Sequence, residues 1–74
     1  MDYKIRLREL REGMGISQKK LAGKIDIPQS TYSDYENGMV RTPMEIFIRL
    51  ARLYDVDMNY ISGVSNKRNP FPKE

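Results

Sequence analysis

Between Pro28 and Arg41 the chain carries a run of hydrogen-bonding side chains: Gln29, Ser30, Thr31, Ser33, Asp34, Asn37 and Arg41. Hydroxyls and carboxamides can donate and accept together, and a glutamine can pair with the N6 and N7 edge of an adenine. Just ahead, Ser17, Gln18, Lys19 and Lys20 bring a hydroxyl, a carboxamide and two ammonium groups to a helix start, where an anion is favoured. This is the chemistry of recognition. Catalysis has little to work with, because the chain holds no histidine and no cysteine. Ser17 to Lys20 spells S-x-x-K, a string used by certain acyl-transfer enzymes, but it falls at a helix start and has no companion motif. The Gly13-Met14-Gly15 pair lacks the third glycine and the preceding strand of a nucleotide-binding loop. A cap and a surface charge explain Asp55 and Asp57, which have no ligand set around them. No catalytic residue, metal site or cofactor is expected, and the chain reads as a non-enzyme.

The elements that must position these groups are five helices, with no strand. The first runs from about Tyr3 to Glu12, with Leu7 and Leu10 on one face and Gly13 and Gly15 at its end. Ser17 caps the second, since its hydroxyl can accept from a free N–H of the first turn, and Leu21, Ala22 and Ile25 form its apolar side. Asp26 marks a turn. The third helix is predicted to open at Pro28 and to stop at Asn37-Gly38, where glycine can turn left-handed. Thr42, Pro43 and Glu45 read as an N-cap, a first helical residue and the far end of a T-x-x-E capping box. Phe47, Leu50, Ala51 and Tyr54 then recur with helical spacing, and Asp57 caps a short fifth helix closed by Gly63.

On a wheel of about 100° per residue, Tyr32 and Tyr35 of the third helix fall together, with Pro28 and Glu36 flanking them. Ser30, Ser33, Asp34 and Asn37 fall opposite, and Gln29 lies at the amino-terminal edge. Taken alone, this is the polar face of any surface helix.

The segment Ser17–Gly38 resembles the Cro- and phage-repressor-type helix-turn-helix family, also called XRE-like. Ser17-Gln18, Leu21-Ala22 and Tyr35-Glu36-Asn37-Gly38 carry the likeness, which extends from Leu7 to Gly63. The resemblance implies an all-α, five-helix, lambda-repressor-like DNA-binding domain whose helix-turn-helix is formed by the second and third helices. It implies that the third helix enters the major groove, with Gln29, Ser30, Thr31, Ser33 and Asp34 on the side facing DNA. It implies further that Gln18 and Lys19 meet a backbone phosphate, and that Asn37 and Arg41 contact the backbone after the third helix. An ion pair between Arg11 and Glu36, tying the first helix to the third, is implied as well. Some positions depart from the pattern. Asp26 stands where glycine is usual, Lys20 replaces a capping glutamate, and Gly23 weakens its helix by roughly 1 kcal/mol relative to alanine. Asp34 puts a negative charge on the presumed DNA side, where it either accepts from a cytosine amine or is kept away from the phosphates.

Seventy-four residues allow one small domain, read as residues 1–63, with a flexible tail over 64–74. The charge is uneven. Residues 1–25 carry a net +4, residues 26–62 a net −3 and residues 63–74 a net +2. Such an asymmetry suits a polyanion along one side, although solvated surface charge explains it about equally well. The amino-terminal MDYKIRLREL has charges where a signal peptide needs apolar residues, and no apolar run would span a bilayer, so a soluble cytoplasmic protein is expected. At this length no separate oligomerisation, ligand-sensing or peptidase domain is expected. A homodimer on a two-fold operator is expected, with Met58, Tyr60, Ile61, Val64 and Phe71 as interface candidates; core packing is the better account of Tyr60 and Ile61, which leaves Met58 and Val64 as the stronger candidates. The function read from the sequence is sequence-specific binding of double-stranded DNA by a transcriptional repressor. The alternative is a protein-binding adaptor, or an antitoxin built on the same fold.

Overall fold

The computed structural model describes residues 1–73. Among them are five α-helices and no strand: α1 Tyr3–Gly13, α2 Gln18–Lys24, α3 Gln29–Asn37, α4 Met44–Tyr54 and α5 Met58–Ile61. Local chemistry sets most of the ends. The Asp2 carboxylate accepts from the Lys4 N–H, Ser17 Oγ from the Lys20 N–H at 3.1 Å, and Asp57 Oδ1 from the Tyr60 N–H at 2.8 Å. Each answers a backbone donor that has no partner within its helix. Asp26 takes a left-handed conformation at φ 63° in the α2–α3 turn, as an aspartate can at modest cost. Gly38 does the same at φ 76° after α3.

Two helix starts differ from the sequence expectation. Pro28 precedes α3 rather than opening it: its ring fixes φ, but its ψ of 148° is extended. At α4 the capping box does not form. Pro43, extended at ψ 154°, takes the cap position, and its carbonyl accepts from the Ile46 and Phe47 N–H groups at 3.0 and 3.1 Å. Thr42 is thereby one residue too early, and its buried hydroxyl has no hydrogen-bond partner among the described residues. Glu45 pairs with Arg49 at 2.8 Å instead of reaching back.

All five helices feed one core. Leu7 and Leu10 of α1, Leu21 and Ala22 of α2, Tyr32 of α3, Ile46, Leu50, Ala51 and Tyr54 of α4, and Ile61 of α5 are buried together with Ile25 and Val56. Helix α1 packs on α3 and α5, and α2 on α3, so the helix-turn-helix pair is backed by the rest of the domain. From α4, Arg49 Nη1 donates to the Ile25 carbonyl at 2.9 Å and holds the α2–α3 turn from behind. No helix among the described residues is long and apolar enough to cross a membrane.

The segment expected as a flexible tail is described to Lys73, and Glu74 lies outside the described residues. Residues 65–71 run against the domain. The Asp57 N–H donates to the Asn69 carbonyl at 2.9 Å, Asn69 Nδ2 to Asp57 Oδ2 at 3.3 Å, and the Phe71 N–H to Asp55 Oδ1 at 3.2 Å. The Arg52 guanidinium stands 5.3 Å above the Phe71 ring.

Candidate nucleic-acid interface

Tyr32 and Glu36, four residues apart on α3, face inward and are buried, and Tyr35 packs on the core more loosely. The Glu36 side chain has no exposed surface. Arg11 answers its charge: Nε donates to Oε2 at 3.0 Å and Nη2 to Oε1 at 2.9 Å. Arg8 approaches Oε1 at 3.5 Å from the next turn of α1. Burial pushes the Glu36 carboxyl up, but the Arg11 guanidinium outweighs it, with Tyr32 and Gln18 nearby, and the net shift is below the ordinary value of 4.5. The same contact raises Arg11. Burial, with the Glu36 charge alongside, raises Tyr32, and burial pushes Tyr54 up to about 12. Among the described residues, neither hydroxyl has a partner in hydrogen-bond geometry.

The third branch of Arg11 reaches another element. Its Nη1 donates to the Ile16 carbonyl at 2.9 Å, directly before the Ser17 cap of α2. One guanidinium therefore locks α3 and the start of α2 to α1. Two charges had to be desolvated for this, so the pair counts for geometry more than for net stability.

With that face turned inward, the opposite one is free. Gln29, Ser30, Asp34 and Asn37 are exposed, whereas Thr31 and Ser33 are half-buried. Asn37 Nδ2 donates to Ser33 Oγ at 3.1 Å, so these two hold each other. Gln18 is half-buried and Lys19 exposed in the first turn of α2. Arg41 is exposed in the loop after α3, flanked by exposed Met39 and Val40. The N–H groups of Gly38, Met39 and Val40 all turn back to carbonyls of α3, so in this stretch side chains must make the outward contacts.

Sequence reasoning missed three arginines. Arg6 is 2 % exposed and donates to the carbonyls of Tyr60 and Ser65 and to Asn66 Oδ1, with its guanidinium 3.7 Å above the Tyr60 ring. Its place three residues after Tyr3 and four before Leu10, on the inner face of α1, was the available signal. Nothing in the spacing marks Arg49 as the brace of the turn, or Arg8 as a second partner of Glu36. Of the interface candidates, Ile61 is core, Met58, Tyr60 and Phe71 are half-buried, and Val64 is 80 % exposed.

The helix-turn-helix family model matches residues 7–61. Among curated proteins, the chain is similar to three from Bacillus subtilis strain 168. It is 40 % identical over 68 residues to the uncharacterized HTH-type transcriptional regulator YobD, covering 92 % of this chain and 61 % of that protein. It is 33 % identical over 58 residues to the HTH-type transcriptional regulator ImmR (78 % and 46 %) and 32 % identical over 68 residues to the HTH-type transcriptional regulator AnsR (92 % and 59 %). The chain thus spans about half to three-fifths of the length of these relatives. No solved structure matches it. With the match running from α1 to α5 over a buried Glu36 and an outward polar α3, the chain belongs to the XRE-type helix-turn-helix family.

Proposed function

We propose that the protein is a DNA-binding transcription regulator that reads the major groove with α3 and represses by occupying promoter DNA. The observation that carries this reading is the two-sided α3. Tyr32 and Glu36 are locked inward, and Gln29, Ser30, Asp34 and Asn37 face out. Gln29, at the amino-terminal end, is the base reader, with Ser30 and Thr31 beside it and Ser33 and Asp34 further along. Gln18, Lys19, Asn37 and Arg41 hold the phosphates and carry no sequence information. Family membership and the names of the similar proteins support a binding module rather than an enzyme. The working form is a homodimer on a two-fold site with half-sites about one helical turn apart, because a lone module buries too little surface for high affinity. Val64 is the apolar group most available for that contact.

Selection of bound duplexes from a random pool tests the reading directly. A palindromic site should emerge, and duplex affinity should fall steeply with salt through counterion release. Gln29→Ala should relax one base position at a cost of about 1–3 kcal/mol, whereas Lys19→Gln should weaken all sequences alike. The second reading, a protein-binding adaptor or an antitoxin, draws on exposed Asp34, which repels a phosphate backbone. Salt-insensitive or undetectable duplex binding would favour it.

A further inference from the structure

Outside the interface just described, one cleft gathers charge around a residue of that interface. A cavity of about 300 Å³ opens between α1 and the end of α3, lined by Lys4, Ile5, Arg8, Glu9, Glu36 and Asn37. Its cations are placed by specific contacts. Gly38 has no side chain, and a Cβ there would fall 2.6 Å from Lys4 Cδ and 3.1 Å from Lys4 Nζ. Lys4 thus lies across the end of α3, beside Asn37, in the space a side chain at residue 38 would take. Arg8 reaches Glu36 with its Nε at 3.5 Å, while its side chain stays 56 % exposed. Because Arg11 already answers Glu36 with two close hydrogen bonds, the second guanidinium leaves positive charge over on the solvent side. Two acids oppose it: Asp2 pairs with Lys4 at 3.3 Å, and Glu9 sits on the rim.

We propose that this cleft is an additional phosphate subsite, in which Lys4 and Arg8 take one backbone phosphate of the bound duplex next to Asn37. The proposal rests on the DNA-binding reading and extends the backbone contacts from α2 and the α3–α4 loop to α1. Arg8 divides its guanidinium between Glu36 and the phosphate, a geometry its fork of donors allows. Lys4 acts as a point charge and exchanges Asp2 for the phosphate. Such contacts add affinity without sequence preference.

The test is the salt dependence of duplex affinity for the full chain and five variants, using the selected site and an unrelated duplex. Lys4→Gln and Arg8→Gln should each flatten the plot of log affinity against log salt by about one. Each should weaken both duplexes alike, by about tenfold at moderate salt, the loss of one charged hydrogen bond. Glu9→Gln should strengthen binding to both. Lys73→Gln, in the C-terminal segment beside Arg52 and Asp55, should leave the slope unchanged. Since Arg8 touches Glu36, its variant is read only alongside its urea midpoint; Lys4, whose ion-pair partner is an exposed acid, carries the test if Arg8→Gln unfolds. If Lys19→Gln weakens binding while both α1 variants keep the wild-type slope, the subsite is overturned and the groove-reading α3 stands. If the wild-type chain binds no duplex, both fall together.

Discussion

Removing a carboxylate from water costs several kcal/mol unless its charge is met inside the protein. At Glu36 the meeting is done chiefly by Arg11, with Arg8 at 3.5 Å, and breaking the pair leaves a buried charge poorly compensated. Glu36→Ala should destabilise by about 3–5 kcal/mol, read as a shift of the urea midpoint. An unchanged midpoint would remove the pair from any account of the fold. The pair also sets a pH dependence. Because the folded-state value of Glu36 lies below 4.5, its stabilisation is complete above that pH and is lost as pH falls from 4.5 through the lower folded value. Glu36→Gln should abolish that part of the acid slope, and an identical slope in the variant would contradict the assignment. Gly23 offers a change of opposite sign. It is exposed within α2, and a Cβ there meets nothing within 4 Å. Gly23→Ala should therefore raise the midpoint by about 0.5–1 kcal/mol of stability.

Thr42 separates what residue patterns say about an element from what the element does. Read as a cap, it should cost about 1 kcal/mol on losing its hydroxyl. In the structure the hydroxyl is buried and unpartnered, so Thr42→Val should leave the thermal midpoint unchanged or raise it. A clear drop would restore the capping box. The other elements were largely legible. Ser17 and Asp57 cap where their side chains predict, since a cap is decided by a hydroxyl or carboxylate next to a helix start. The inward turn of Tyr32 and Glu36 follows from helical spacing. The Thr42 error came from Pro43: its ring fixes φ, but the choice of ψ belongs to the packing of α4, which no local pattern contains. Arg6 and Arg49 escaped for a related reason. Their acceptors are mostly backbone carbonyls distant in sequence, and a carbonyl leaves no mark on residue type.

At the scale of the whole molecule, the segment after α5 is part of what holds the domain together. Arg6 spends two of its three contacts on Ser65 and Asn66, and Asp55 and Asp57 receive the backbone and side chain of residues 69–71. Ending the chain at Gly63 should strip a buried guanidinium of two of its acceptors and lower stability by about 2 kcal/mol or more. A free appendage would be removed without effect, and a denaturation curve of the truncated chain decides between the two. Composition could not reveal this, because prolines, charges and a single phenylalanine describe a tail that packs as well as one that does not.

The corner built by Arg6 has a consequence for how the molecule comes apart. Its acceptors are two carbonyls and a carboxamide, none of which gains a proton in mild acid. Glu36 does gain one once the pH falls below 4.5 through its lowered value, and with it the clasp of Arg11 on α3 loosens. Acid should therefore loosen α3 first, exposing the amides of α3 and of residues 14–17 to exchange while the packing of α1 against α5 still holds.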